Sequence, residues 1–146
     1  MTKVFFYYDA EDRLGAAIMW LQQAHRKRRQ VVVYAPDPLL ATELDRLLWV
    51  RPATGFLPHC RGDSALATMT PVVISSELEQ LPHEECLLNL SNEVPPGFSR
   101  FSLLIEIAGT APEERLPARE RFKFYRDRGY ELQSEKFDPA TLLEAA

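Results

Sequence analysis

Lys3-Val4-Phe5-Phe6-Tyr7-Tyr8-Asp9 is followed by Leu14, Ala17, Ile18, Leu21 and Ala24, and then by Val31-Val32-Val33-Tyr34-Ala35. The first run is aromatic and β-branched and stops at Asp9, Glu11 and Asp12, so it reads as a buried strand. The next apolar positions recur at helical spacing, which predicts an amphipathic helix over about 12–29. Its last turn, His25-Arg26-Lys27-Arg28-Arg29, sets cations at the negative end of the helix dipole. The valine run is a second strand. Strand, helix, strand in this order makes a βαβ unit, hence a parallel sheet with helices packed against its faces.

The pattern continues outward. Pro38 suits the first turn of a second helix carrying Leu40, Leu44, Leu47 and Leu48, which runs to about Trp49 and ends before Arg51-Pro52. Residues 53–70 read as irregular. Val72–Ile74 and Cys86–Leu90 are short strands, and Pro95-Pro96-Gly97 is a turn. Within Phe101–Ile107 the last half is favoured as strand. Pro112 opens a charged helix to about Arg128, and Gly129 is its natural stop. Tyr130–Phe137 is a final strand, with a short tail at about 138–146. The expected fold is a three-layer α/β domain, a mainly parallel sheet flanked by helices, spanning 1–146 as one unit.

The 146 residues are 46% hydrophobic and 26% charged, ordinary values for one globular domain. A chain of this size buries roughly 68–70% of its unfolded surface, enough for a core without staples. The balance of 17 Lys+Arg against 21 Asp+Glu, −4 net, argues against wholesale nucleic-acid binding. No apolar run approaches the ~20 residues of a membrane span, and the first residues lack signal-peptide anatomy. Two cysteines, Cys60 and Cys86, make no disulfide framework. The expectation is a soluble cytoplasmic protein without membrane contact.

Catalytic motifs are missing. The first strand–helix turn holds one glycine, Gly15, where a dinucleotide site needs a cluster, and neither a phosphate loop nor a nucleophile elbow occurs. Asp9 and Glu11 after the first strand could hold Mg²⁺ for phosphoryl hydrolysis, with Asp12 nearby. A solvated turn and helix cap explain the same three carboxylates. His59-Cys60 and His83-Glu84-Glu85-Cys86 have poor spacing for zinc, so no metal and no cofactor are expected. Arg26–Arg29 would be the contact of a direct nucleic-acid module, though the run wraps a helix end.

The last helix carries a more specific pattern. At 3.6 residues per turn, Arg115, Arg119, Phe122 and Arg126 fall within about 60° of one another. A core stripe would not carry three unpaired arginines, and a plain solvent face needs no phenylalanine. The mixture suits an acidic ligand with an apolar end.

Two longer stretches, Leu44-Asp45-Arg46-Leu47-Leu48-Trp49-Val50-Arg51-Pro52-Ala53-Thr54-Gly55-Phe56-Leu57-Pro58-His59 and Ala118-Arg119-Glu120-Arg121-Phe122-Lys123-Phe124-Tyr125-Arg126, resemble the signature of the chi subunit of bacterial DNA polymerase III. The likeness covers 1–60 and 101–130 and implies a Rossmann-like fold. It implies a non-catalytic accessory of the clamp loader that binds the acidic C-terminal tail of single-stranded DNA-binding protein and pairs with the psi subunit. Contact with the clamp loader would run through psi, and contact with DNA would be indirect. The tail ends in acidic residues and a phenylalanine with a free carboxylate. The resemblance places its pocket at Trp49, Phe56, Arg115, Arg119 and Phe122, with Arg126 as a further basic contact. On that reading the terminal ring packs on Trp49, Phe56 and Phe122 while Arg115 and Arg119 take the carboxylates. Phe122 stands where the family often has Tyr, and Arg115 where Lys is common.

Overall fold

The computed structural model describes residues 2–50, 57–62, 64, 70–79, 81 and 83–140. Strands β1 (Lys3–Ala10), β2 (Val31–Tyr34), β3 (His59–Arg61), β4 (Val72–Ser75), β5 (Cys86–Asn89), β6 (Leu103–Gly109) and β7 (Glu131–Lys136) form one sheet in the order β3-β4-β2-β5-β6-β1-β7. Every pairing is parallel. The α-helices among the described residues are α1 (Arg13–Arg26), α2 (Pro38–Val50) and α3 (Pro112–Asp127), with a short 3-10 turn at Phe98–Arg100. None is long and apolar enough to cross a membrane.

The valine run explains why β2 is central. Val31 and Val33 point to one face and Val32 and Tyr34 to the other, and all four are buried. A strand covered on both sides needs a continuous apolar run rather than alternation. On one face, Val31, Val33, Ile105 and Ile107 join Ala17, Leu21, Leu44 and Leu48 from α1 and α2. On the other, Val4, Phe6, Val32 and Leu104 join Ala118 and Tyr125 from α3. Two layers of helix therefore sandwich the sheet.

Local sequence sets the ends of α3. Pro112 occupies the first turn, Glu113 and Glu114 face the positive end of the dipole, and Arg126 stands in the last turn. Gly129 takes φ 79°, and its N–H donates to the Arg126 carbonyl at 3.1 Å, closing the helix. Arg13 of α1 pins strand ends together. Its guanidinium donates to the carbonyls of Ile107 at 2.7 Å, Ser91 at 2.8 Å and Asn89 at 3.3 Å. Burial lowers its pKa to about 10.

Some expectations shift. β3 falls in the stretch read as irregular. β6 begins at Leu103 and continues to Gly109, past the predicted half-strand. Asp12 holds the N-cap position of α1 but makes no side-chain capping bond. Phe98, Phe101, Leu104, Ile105 and Ile107 are buried, so the apolar run near β6 belongs to the core.

Candidate functional site: a basic cleft over an aromatic floor

β1 and β6 are neighbours, and the chain leaves them toward opposite faces: β1 feeds α1 and β6 feeds α3. Such a divergence opens a crevice beyond the strand ends, the usual ligand position in a parallel α/β sheet. On the α3 side lies a cleft of about 460 Å³. Phe6, Tyr8 and Asp9 enter from β1, Ala108 and Gly109 from β6, Ser134 from β7, and Arg115, Ala118, Arg119 and Phe122 from α3.

The floor is apolar. The rings of Phe6 and Phe122 meet edge to face with centroids 5.5 Å apart, a favoured aromatic geometry. Ala118 is buried beside them, and its small side chain leaves room above. The rim is polar. Arg119 is exposed and has no ion-pair partner among the described residues. Arg115 Nη2 donates to Asp9 Oδ1 at 2.8 Å, and both side chains remain partly exposed. Tyr8 is 42% exposed. An extended segment with carboxylates and one aromatic or aliphatic end matches this mixture of charge and floor.

The helix is held in position from beneath. Arg121 points the opposite way from Arg119 and is buried with Glu106 of β6, its Nε 3.0 Å from Glu106 Oε1. Tyr125 donates its hydroxyl to Glu106 Oε2 at 2.5 Å, and Asn89 Nδ2 donates to the same oxygen at 3.0 Å. Burial, and then the charge of Glu106, push the Tyr125 hydroxyl pKa far above its ordinary value. This network fixes the rotation of α3 about its axis, so Arg115, Arg119 and Phe122 face the cleft together.

The residues expected to share one pocket do not all meet. Arg115, Arg119 and Phe122 come together. Arg126 is exposed and pairs with neighbouring Asp127 at 3.3 Å, outside the cleft lining. Trp49 ends α2 on the other face of the sheet, 57% exposed, with its ring 5.1 Å from that of His59 on the edge strand β3. Five strand steps separate β3 from β1, or roughly 24 Å at ~4.8 Å per step. One terminal phenylalanine therefore cannot stack on Trp49 and Phe122 at once. Phe56 lies outside the described residues. Tyr8, Phe6 and Asp9 line the cleft, though neither periodicity nor the resemblance assigns them to a peptide pocket. Their signal in the sequence is their place at the C-terminal end of the first strand.

A larger cleft of about 700 Å³ lies by the N-terminal ends of the three helices. Asp12, Asp37, Glu93, Glu113 and Glu114 line it, against one Arg13 already committed to carbonyls. Its charge repels an acidic ligand, so of these two clefts the smaller one at α3 is suited to carboxylates.

The family described as DNA polymerase III chi subunit, HolC, matches residues 1–133. The chain belongs to the chi family. Similar relatives are the DNA polymerase III subunit chi of Pseudomonas aeruginosa, 32% identical over 140 residues (93% of this chain, 97% of the relative), and that of Haemophilus influenzae, 30% identical over 121 residues (82% and 81%). The Escherichia coli K12 subunit is 26% identical over 110 residues, 75% of each chain.

A chi-family chain is a non-catalytic accessory subunit in DNA replication, attached to the polymerase III holoenzyme. The hydrolase alternative built on Asp9 and Glu11 is set aside on that ground. Asp9, moreover, is turned to Arg115. Arg26, Lys27 and Arg28 are exposed at the end of α1, as a solvated helix terminus would be.

Proposed function

We propose that this chi-family subunit binds the acidic C-terminal tail of single-stranded DNA-binding protein in the α3 cleft and pairs with psi, tying the clamp loader to coated template in the cytoplasm. The observation that carries the reading is the pair Arg115 and Arg119 standing over the Phe6–Phe122 floor. The terminal phenylalanine of the tail packs on that floor, where burying an aromatic ring is worth roughly 1.5–3 kcal/mol. Arg115 and Arg119 take the terminal carboxylate and the acidic side chains before it. On this reading Trp49, which the resemblance assigns to the same pocket, takes no part in holding the terminal ring.

Ordering a flexible tail costs entropy, so affinity is modest, about micromolar. Modest single contacts suit a link that is made and broken repeatedly, and many tails on one coated strand add avidity. Two arginines in contact with carboxylates make the interaction weaken with salt.

Fluorescence-anisotropy titration of a labelled tail peptide tests the reading. Saturable binding that weakens between low and high salt is expected. Folded protein that leaves the peptide free at every concentration would remove the tail from its partners.

A further inference from the structure

We propose that Asp9 is a built-in competitor for the carboxylate-binding arginine, occupying Arg115 whenever the cleft is empty and giving it up when an acidic peptide enters. The inference rests on the tail-binding reading above and names a residue that sets its strength.

Three features converge on Asp9. Its Oδ1 accepts from Arg115 Nη2 at 2.8 Å, so the carboxylate already sits where a ligand carboxylate would go. Its backbone takes φ 57°, a left-handed conformation that non-glycine residues seldom adopt. The β1–β6 register also shifts between Tyr7 and Ala10, so Asp9 sits on an irregular segment rather than in the regular ladder. Irregularities of this kind re-aim a side chain at sheet ends, and strained backbone concentrates where a side chain must be held at a functional place. Regular β1 geometry would not turn the Asp9 carboxylate to α3 in this way.

The pair is partly exposed, so it is weak enough to exchange. An incoming carboxylate replaces one charge-assisted contact with another, and the net gain from Arg115 is the difference between the two. Arg119 has no such internal partner among the described residues and is free for the first encounter. The cleft thus has one arginine that attracts and one that must be released, which lowers affinity for weakly acidic or singly charged peptides.

A double-mutant cycle reads this directly. Wild type, Asp9→Asn, Arg115→Ala and the double variant are titrated with a fluorescein-labelled acidic peptide ending in phenylalanine with a free carboxylate. Asn accepts the same φ, and Asp9→Gly serves as a second variant that does too. Asp9→Asn is expected to bind roughly two- to five-fold tighter than wild type, and the gain is expected to vanish in the Arg115→Ala background. Equal or weaker binding by both Asp9 variants overturns the inference and leaves the tail reading standing. An equal gain with Arg115 absent also overturns it, because Asp9 would then act only through its general field. Peptide bound by none of the proteins overturns both.

Discussion

Arg121 Nε stands 3.0 Å from Glu106 Oε1, and the two side chains are 2% and 0% exposed. Four arginines lie on α3, and this one alone is turned into the core. Its Nη1 and Nη2 find no hydrogen-bond partner among the described residues, so Glu106 is what makes its burial tolerable. Taking one partner from a buried pair leaves an uncompensated charge, which typically costs 3–5 kcal/mol. Glu106→Gln should therefore lower unfolding free energy by about 3–5 kcal/mol in urea titration. A loss under about 1 kcal/mol would mean that the pair is not desolvated as described.

Tyr125 ties stability to alkaline pH. Burial and the nearby Glu106 charge raise its folded pKa above the ordinary 10.0. The sign follows from linkage. Below pH 10 both folded and unfolded chains hold the proton, and the contribution is complete. Above it the unfolded chain releases the proton while the folded chain keeps it, so stability falls as pH rises. The slope from this group approaches about 1.4 kcal/mol per pH unit. Chemical denaturation between pH 8 and 11 should show the decline, and Tyr125→Phe should flatten it. An unchanged slope in the variant would assign the decline to other groups.

Trp49 and Arg119 separate the two places where a tail could bind. Arg119 lines the α3 cleft, whereas Trp49 sits beside His59 at the far edge of the sheet. Arg119→Ala should weaken tail-peptide binding at least five-fold, the scale of a lost charge-assisted contact. Trp49→Ala should leave it within about two-fold. Anisotropy titrations of the two variants decide this, and the opposite order would move the pocket to the end of α2.

The first βαβ unit was legible because a doubly covered parallel strand is a continuous apolar run and its helix has a 3.6-residue stripe. The same physics hid the strand order: every buried strand looks alike, and nothing in Val72–Ile74 or Cys86–Leu88 says which neighbour it takes. β3 escaped notice because His59-Cys60-Arg61 is three residues with no apolar run. On α3, periodicity grouped Arg115, Arg119 and Phe122 correctly but also admitted Arg126, which a one-turn offset carries away from the cleft to Asp127. Trp49 was ambiguous for a different reason. A tryptophan after Leu47-Leu48 fits a core as well as a pocket, and only the packing of α2 and α3 on opposite faces, with the strand order, shows how far it lies from the α3 cleft. From the sequence Asp9 suits a cap or a metal ligand, because its partner Arg115 lies 106 positions away in the chain.

The most direct measurement is an NMR titration of unlabelled acidic tail peptide into uniformly ¹⁵N-labelled protein. If the α3 cleft is the tail site, amide shifts concentrate at Tyr8, Asp9, Gly109, Arg115, Arg119 and Phe122, while Trp49, Val50 and His59 stay in place. Shifts centred on Trp49 and Val50, with the α3 amides unmoved, would contradict the account.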